Sequence, residues 1–179
     1  MALLLLPAWG VAAASTEAWQ AVREGRALLL LRHTTAPGTG DPANFRLGQC
    51  DTQRNLDAQG RAEARRWGEL LARQGIETPR LLSSRWCRAL DTATGMLRGP
   101  VQPFTALDSF FGEPADGAAQ TDELIRMINQ LPGGAPLVLI SHQVNITALT
   151  GIFPASGEGL ILALPLRRNA QPLARIPAR

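Results

Sequence analysis

Residues 28–38, LLLLRHTTAPG, decide how this chain folds. Four leucines in a row, with no polar alternation, suit a strand buried on both faces, as in a parallel sheet covered by helices. The run stops on Arg32 and His33, and the chain then turns through Thr, Pro and Gly. A buried strand that delivers a guanidinium and an imidazole to its carboxyl end carries more than core. The only other histidine, His142, ends a second apolar run, "APLVLISH".

Working outward, short apolar runs alternate with helical segments, the signature of an α/β fold. "STEAWQAVREGR" reads as a first helix before the leucine strand. Residues 34–55 are rich in Gly, Pro, Asn and Asp and read as a long loop, a feature usually tied to function. Asp57 is placed to cap a helix through "AQGRAEARRWGELLARQG", with Gly75 as its stop. "PRLLSS" is a strand and "RWCRALDTATGML" the helix behind it; "VQPFTAL" is a third strand. "DELIRMINQL" is a helix ended by Pro132-Gly133. "APLVLISH" is a fourth strand, "VNITALTG" a short helix, "GLILALPL" a fifth strand and "PLARIP" an edge strand. The expected architecture is α/β, a three-layer α/β/α sandwich with a mostly parallel central sheet.

The totals fit one domain of 179 residues with a substantial core. Eighteen basic and fifteen acidic residues give a net charge of +3, scattered rather than blocked. That argues against a nucleic-acid partner and suits a small anionic one. The amino-terminal "MALLLLPAWGVAAAS" has an apolar core and a small-residue end, and residues 1–14 read as a secretory signal cut after Ala14. The run is too short for a stable membrane span. The expected location is therefore periplasmic or secreted; the alternative is a cytoplasmic chain whose first segment belongs to the fold. Cys50 and Cys87 match no metal spacing. They are read equally as one disulfide or two free thiols.

In open α/β sheets ligands bind beyond the carboxyl ends of the strands. Arg32-His33, the "SSRWCR" that leads to Arg88, and Ser141-His142 all arrive there. Two guanidinium groups buried near each other call for an anion, and a phosphoryl group fits their forked donors. A neutral imidazole in such a place can attack phosphorus.

"LRH" after an apolar strand, "SSRWCRALDTA" about fifty residues on and "LISHQVN" near the carboxyl end together resemble the histidine phosphatase (phosphoglycerate-mutase-like) superfamily, in its compact branch. The likeness spans about residues 27–165 of the single domain at 15–179. The resemblance implies His33 as nucleophile, and Arg32, Arg88 and His142 as the phosphate pocket. It implies a phosphomonoesterase working through a phosphohistidine on a small phosphorylated substrate, with no cofactor and no metal. "TQRNLDAQGR", together with export, is similar to bacterial envelope members. The departures are Thr34 in place of a glycine after the histidine, and Thr39 where mutases carry an asparagine, which weighs against mutase activity. Gln143 follows the second histidine where acid phosphatases have aspartate.

Breaking the ester P–O bond calls for a proton donor, which the larger family takes from the loop after the third strand. Here that loop is "LDSFFGEPADG", with Glu113 ranked first, Asp108 close behind, and Asp116 as a third carboxylate. Arg54 and Asn145 are further candidates for substrate contact, with Asn55 beside Arg54. Ser84 and Thr92 are assigned to backbone groups, and Phe110 and Phe111 to the entrance or the core. The competing functions are a non-catalytic phosphate- or phosphosugar-binding module, a phosphomutase, and a cysteine redox protein. Substrate and oligomeric state are not encoded in these motifs.

Overall fold

The structure, a computed structural model, describes residues 9–178. The proposed leader at 1–14 lies mostly outside the described residues. Helix α1 (Trp9–Arg23) begins further toward the amino end than the "STEAWQAVREGR" segment. Among the described residues no helix is long and apolar enough to cross a membrane.

One six-stranded sheet organises the rest. Strands β1 (Ala27–Arg32), β2 (Arg80–Ser83), β3 (Val101–Pro103), β4 (Leu137–Ser141), β5 (Gly159–Ala163) and β6 (Ala174–Ile176) lie in the order β3-β2-β4-β1-β5-β6. The first four strands in the chain run parallel, while β5 is antiparallel to β1, and β6 to β5. The sheet is thus mostly parallel on one side of β1 and antiparallel on the other. The third strand is shorter than "VQPFTAL": Pro103 cannot donate to a ladder, and a 3₁₀ turn follows at Thr105–Leu107.

The leucine run fills both faces of the sheet, as its pattern requires. Leu29 and Leu31 pack with α1, α2 (Ala58–Arg73) and α3 (Cys87–Gly95), through Trp19, Val22, Trp67, Leu71, Ala89 and Met96. Leu28 and Leu30 pack on the opposite face with α4 (Gly117–Asn129) and α5 (Gln143–Thr150), through Leu124, Ile128, Ile146 and Leu149. All four leucines are essentially inaccessible to solvent. Burying each contributes about 1.5–3 kcal/mol of apolar transfer. The three layers are therefore α1–α3, the sheet, and α4–α5.

Local signals act as read. The Asp57 carboxylate accepts from the Gly60 N–H at 2.7 Å and caps α2. Gly75, with φ +71°, ends the turn after that helix. The two cysteines are joined: Cys50, in a 3₁₀ turn at Cys50–Thr52, is disulfide-bonded to Cys87, the first residue of α3. The bond ties the long loop after β1 to the helix that carries Arg88.

Register fixes the functional edge. Arg32 is paired with Ser141 and Ser83 with Ile140, so β1, β2 and β4 end level. The His33 N–H donates to the Ser141 carbonyl and the Ser84 N–H to that of Ile140, which extends the ladder by one step. His33, Ser84 and His142 thus emerge side by side.

Candidate active site

At that edge lies a cavity of about 310 Å³, lined by Arg32, His33, Arg54, Arg88 and His142, with Phe111 and Phe153 at its sides. Three arginines and no carboxylate are in its wall. The amino end of α5 adds Gln143 and Val144. That helix has His142 as its N-cap residue without a side-chain cap, so its first N–H groups are available to an anion.

The two histidines face each other edge to face, with ring centroids 5.3 Å apart. His33 Nδ1 lies 2.8 Å from the Thr34 carbonyl. A carbonyl only accepts, so Nδ1 carries the proton and Nε2 keeps its lone pair. Burial pushes the His33 pKa down to about 3; Arg88, Arg54 and Arg32 reinforce the shift against the opposing Thr34 bond. His33 is therefore neutral at ordinary pH. His142 is also held well below the usual imidazole range, first by burial and then by His33 and the arginines. Its Nε2 is 2.7 Å from Ser84 Oγ.

Several buried polar atoms here have no partner. They include Arg32 Nε, Arg88 Nε and His142 Nδ1, each from a residue of the cavity wall. An unsatisfied buried donor costs about 1–3 kcal/mol, more when charged. A tetrahedral oxyanion bound in the cavity would lie against the guanidinium-bearing side chains of Arg32 and Arg88.

Arg88 has an additional partner that the sequence did not suggest. Its Nη1 and Nη2 donate to the two oxygens of Asp41 at 2.6 and 3.1 Å. Asp41 also accepts from Trp86 Nε1 at 2.9 Å and from the Arg54 N–H at 3.3 Å. Burial alone would raise the Asp41 pKa, but the bonds from Arg88, Trp86 and Arg54 outweigh it and lower it. Arg54 is half-buried and its pKa falls to about 10 through burial and the neighbouring Arg88. Its guanidinium donates to the Gly40 and Ala36 carbonyls, which shapes the loop around the cavity.

The expected proton donors are not in the cavity wall. Asp108 braces the turn after β2: it accepts from the Arg85 N–H at 2.8 Å and Arg85 Nε at 2.7 Å, and from Ser84 Oγ at 3.3 Å. Glu113 is exposed and lines a neighbouring hollow, and Asp116 is exposed beside it in the 3₁₀ turn Pro114–Asp116. Asn145 is buried and donates to the Asp108 carbonyl at 2.7 Å, so it holds the loop after β3. Asn55 donates to the Cys50 carbonyl.

Thr34, which replaces the resemblance's glycine, is fully buried. Its N–H and hydroxyl both meet Thr92 Oγ1, at 3.1 and 3.0 Å, and Thr92 donates to the Arg88 carbonyl. Thr34 thus ties the strand that carries His33 to the helix that carries Arg88. Glu63 accepts from the N–H and hydroxyl of Thr35, and the Gln53 side chain accepts from the Cys87 N–H at the start of α3. Among the described residues no group of three or more His, Cys, Asp or Glu could hold a metal ion.

The family model described as "Histidine phosphatase superfamily (branch 1)" matches residues 28–117. Solved structures share the fold at low identity. The protein histidine phosphatase SixA complexed with tungstate is 19% identical, with a TM-score of 0.58, over 84% of this chain and 96% of that chain. A mycobacterial glucosyl-3-phosphoglycerate phosphatase is 18% identical, with a TM-score of 0.57, over 82% and 98% of the two chains. A phosphoserine phosphatase from Entamoeba histolytica is 13% identical, with a TM-score of 0.61, over 86% and 98%. No curated protein matches the sequence.

Proposed function

Since the chain belongs to the histidine phosphatase superfamily (branch 1), we propose that it is a phosphomonoesterase that passes the phosphoryl group through Nε2 of His33. One observation carries this reading. Arg32, Arg54 and Arg88 line the cavity in which His33 has its Nδ1 proton engaged by Thr34. The nucleophile is neutral, its tautomer is set, and donors for the transferring oxygens surround it.

In the reaction, Nε2 attacks phosphorus, Arg32, Arg88 and the amino end of α5 neutralise the equatorial oxygens, and His142 donates to them once the bound anion has favoured its protonated form. Such groups act most strongly where charge develops in a site that excludes water. The Thr34 carbonyl stabilises the positive charge that grows on the His33 ring. The donor set is guanidinium and imidazole, which supports chemistry without a metal. The substrate is a small phosphorylated molecule, a reading supported by the glucosyl-3-phosphoglycerate and phosphoserine phosphatases that share the fold.

The Cys50–Cys87 disulfide supports a periplasmic or secreted protein, because such bonds persist in oxidising compartments. On this reading residues 1–14 are removed on export. The mass of the protein recovered outside the cytoplasm checks this, and an intact Met1 refutes it.

The function is tested with p-nitrophenyl phosphate in EDTA. Steady hydrolysis is expected from the wild type and none from His33→Ala. A rapid quench that spares acid-labile bonds should find the phosphoryl group on His33. Tight phosphate binding without turnover would instead mark a binding module.

A further inference from the structure

We infer that Asp41 is the general acid of this site, masked in the free protein by its ion pair with Arg88. This deepens the phosphatase reading and rests on it. Of the carboxylates in the loop after β3, Asp108 is committed to Arg85, Asp116 is exposed, and Glu113 is exposed on the hollow it shares with Asp41, whereas Asp41 is bonded to Arg88 itself. Asp41 is within 2.6 Å of a guanidinium that lines the cavity.

Its position also matches the path of a leaving group. Asp41 lines a second hollow of about 520 Å³, together with Phe45, Trp86, Phe111 and Glu113. The hollow and the cavity share Gly40, Ser109 and Phe111 in their walls, so the two are contiguous. A substrate whose phosphoryl group sits in the cavity can extend its leaving group into this aromatic-walled hollow, which Asp41 borders.

The ion pair explains how the acid acquires its proton. The charged groups facing Asp41 are Arg88 and Arg54, with Glu113 across the hollow. When a phosphoryl oxygen engages Arg88, the carboxylate loses part of its partner and gains an anionic neighbour. Both changes favour its protonated form. A substrate entering as the monoanion supplies the proton and stays as the dianion.

The step then balances. The His33 Nε2 lone pair forms the N–P bond while the ester P–O bond breaks. The electron pair leaves on the ester oxygen, which takes the proton from Asp41 and departs as the alcohol. The Asp41 carboxylate next takes a proton from water as the water oxygen attacks phosphorus. The N–P bond breaks, its electron pair returns to Nε2, and hydrogen phosphate is released.

The test compares kcat/KM, which reports phosphorylation of His33, for p-nitrophenyl phosphate and for phenyl and alkyl phosphates. An acid matters little for a good leaving group and greatly for a poor one. Asp41→Asn should lose about 10²–10⁴-fold on the alkyl ester and less than tenfold on the p-nitrophenyl ester. Asp41→Glu should restore part of the loss on the poor leaving group. Equal losses on all esters would make Asp41 a positioning residue for Arg88 and overturn the proposal. The wild type gives a second readout that does not depend on the variant's folding. A shallow leaving-group dependence supports the acid, and a steep one overturns it. Absence of any phospho-His33 in the wild type would instead refute the phosphatase reading.

Discussion

At the scale of single residues, the pKa of His33 sets both reactivity and acid stability. An unfolded imidazole binds its proton near 6.5, whereas folded His33 does so near 3. Between these values the unfolded chain holds the extra proton, so acid favours unfolding and stability rises with pH. The slope approaches about 1.4 kcal/mol per pH unit for such a group, and the change between pH 6.5 and 5 is about 1.7 kcal/mol. Urea unfolding of the unliganded protein at these pH values should show at least that loss, and His33→Asn should reduce it. His142 acts in the same direction. In the proposed mechanism Arg88→Ala removes a donor to the transferring group, worth about 2–4 kcal/mol in the transition state. It should lower kcat/KM by about 10²–10³-fold, and it also leaves Asp41 without its guanidinium. A variant that melts early yet keeps its specific activity would show that Arg88 is structural.

At the scale of elements, the disulfide and one helix–loop contact hold the irregular loop beside the site. The Cys50–Cys87 bond closes a loop with a sequence separation of 37. In the chain-entropy model this contributes about 3–4 kcal/mol by restricting the unfolded chain. Cys50→Ser paired with Cys87→Ser should unfold earlier by a corresponding amount, and reductant should then have no further effect. Gly60, on α2, lies against the loop after His33: a Cβ there would come within 2.0 Å of the Thr35 carbonyl oxygen. Gly60→Ala should cost about 1–3 kcal/mol and reduce turnover by displacing Thr34 and Thr35. Gly133→Ala, where a Cβ meets nothing within 4 Å, serves as the neutral control. Elements of this kind were partly legible in the sequence. The β1 and β4 runs are apolar because both faces are covered, and Asp57 and Gly75 mark the ends of α2 by their capping chemistry. The third strand was overestimated because the apolar letters after Pro103 belong to a 3₁₀ turn that packs without pairing.

At the scale of the whole molecule, the sheet brings together what the chain keeps apart. Arg32, His33 and His142 could be found from sequence because they directly follow strands that end level. Arg88 could be found because it is in the first turn of the helix after β2. Asp41 could not: it reaches Arg88 across 47 positions through an irregular loop, where no periodicity records the path. Phe153, in the irregular segment after α5, escaped for the same reason. The arrangement predicts a measurable response to anions. Inorganic phosphate at 100 times its dissociation constant should stabilise the fold by about 2.7 kcal/mol. Thermal melts should rise with phosphate in the wild type and much less in Arg88→Ala.

The innermost strand has a further consequence. β1 is bonded along its length to β4 on one side and β5 on the other, with helices above and below. Its amides should be among the last to trade deuterium, while those of residues 36–49 trade early. On that expectation the imidazole sits on the slower-exchanging strand and Asp41 on a faster-exchanging loop. Loosening the periphery by heat or mild urea should blunt proton delivery well before it disturbs the attacking nitrogen.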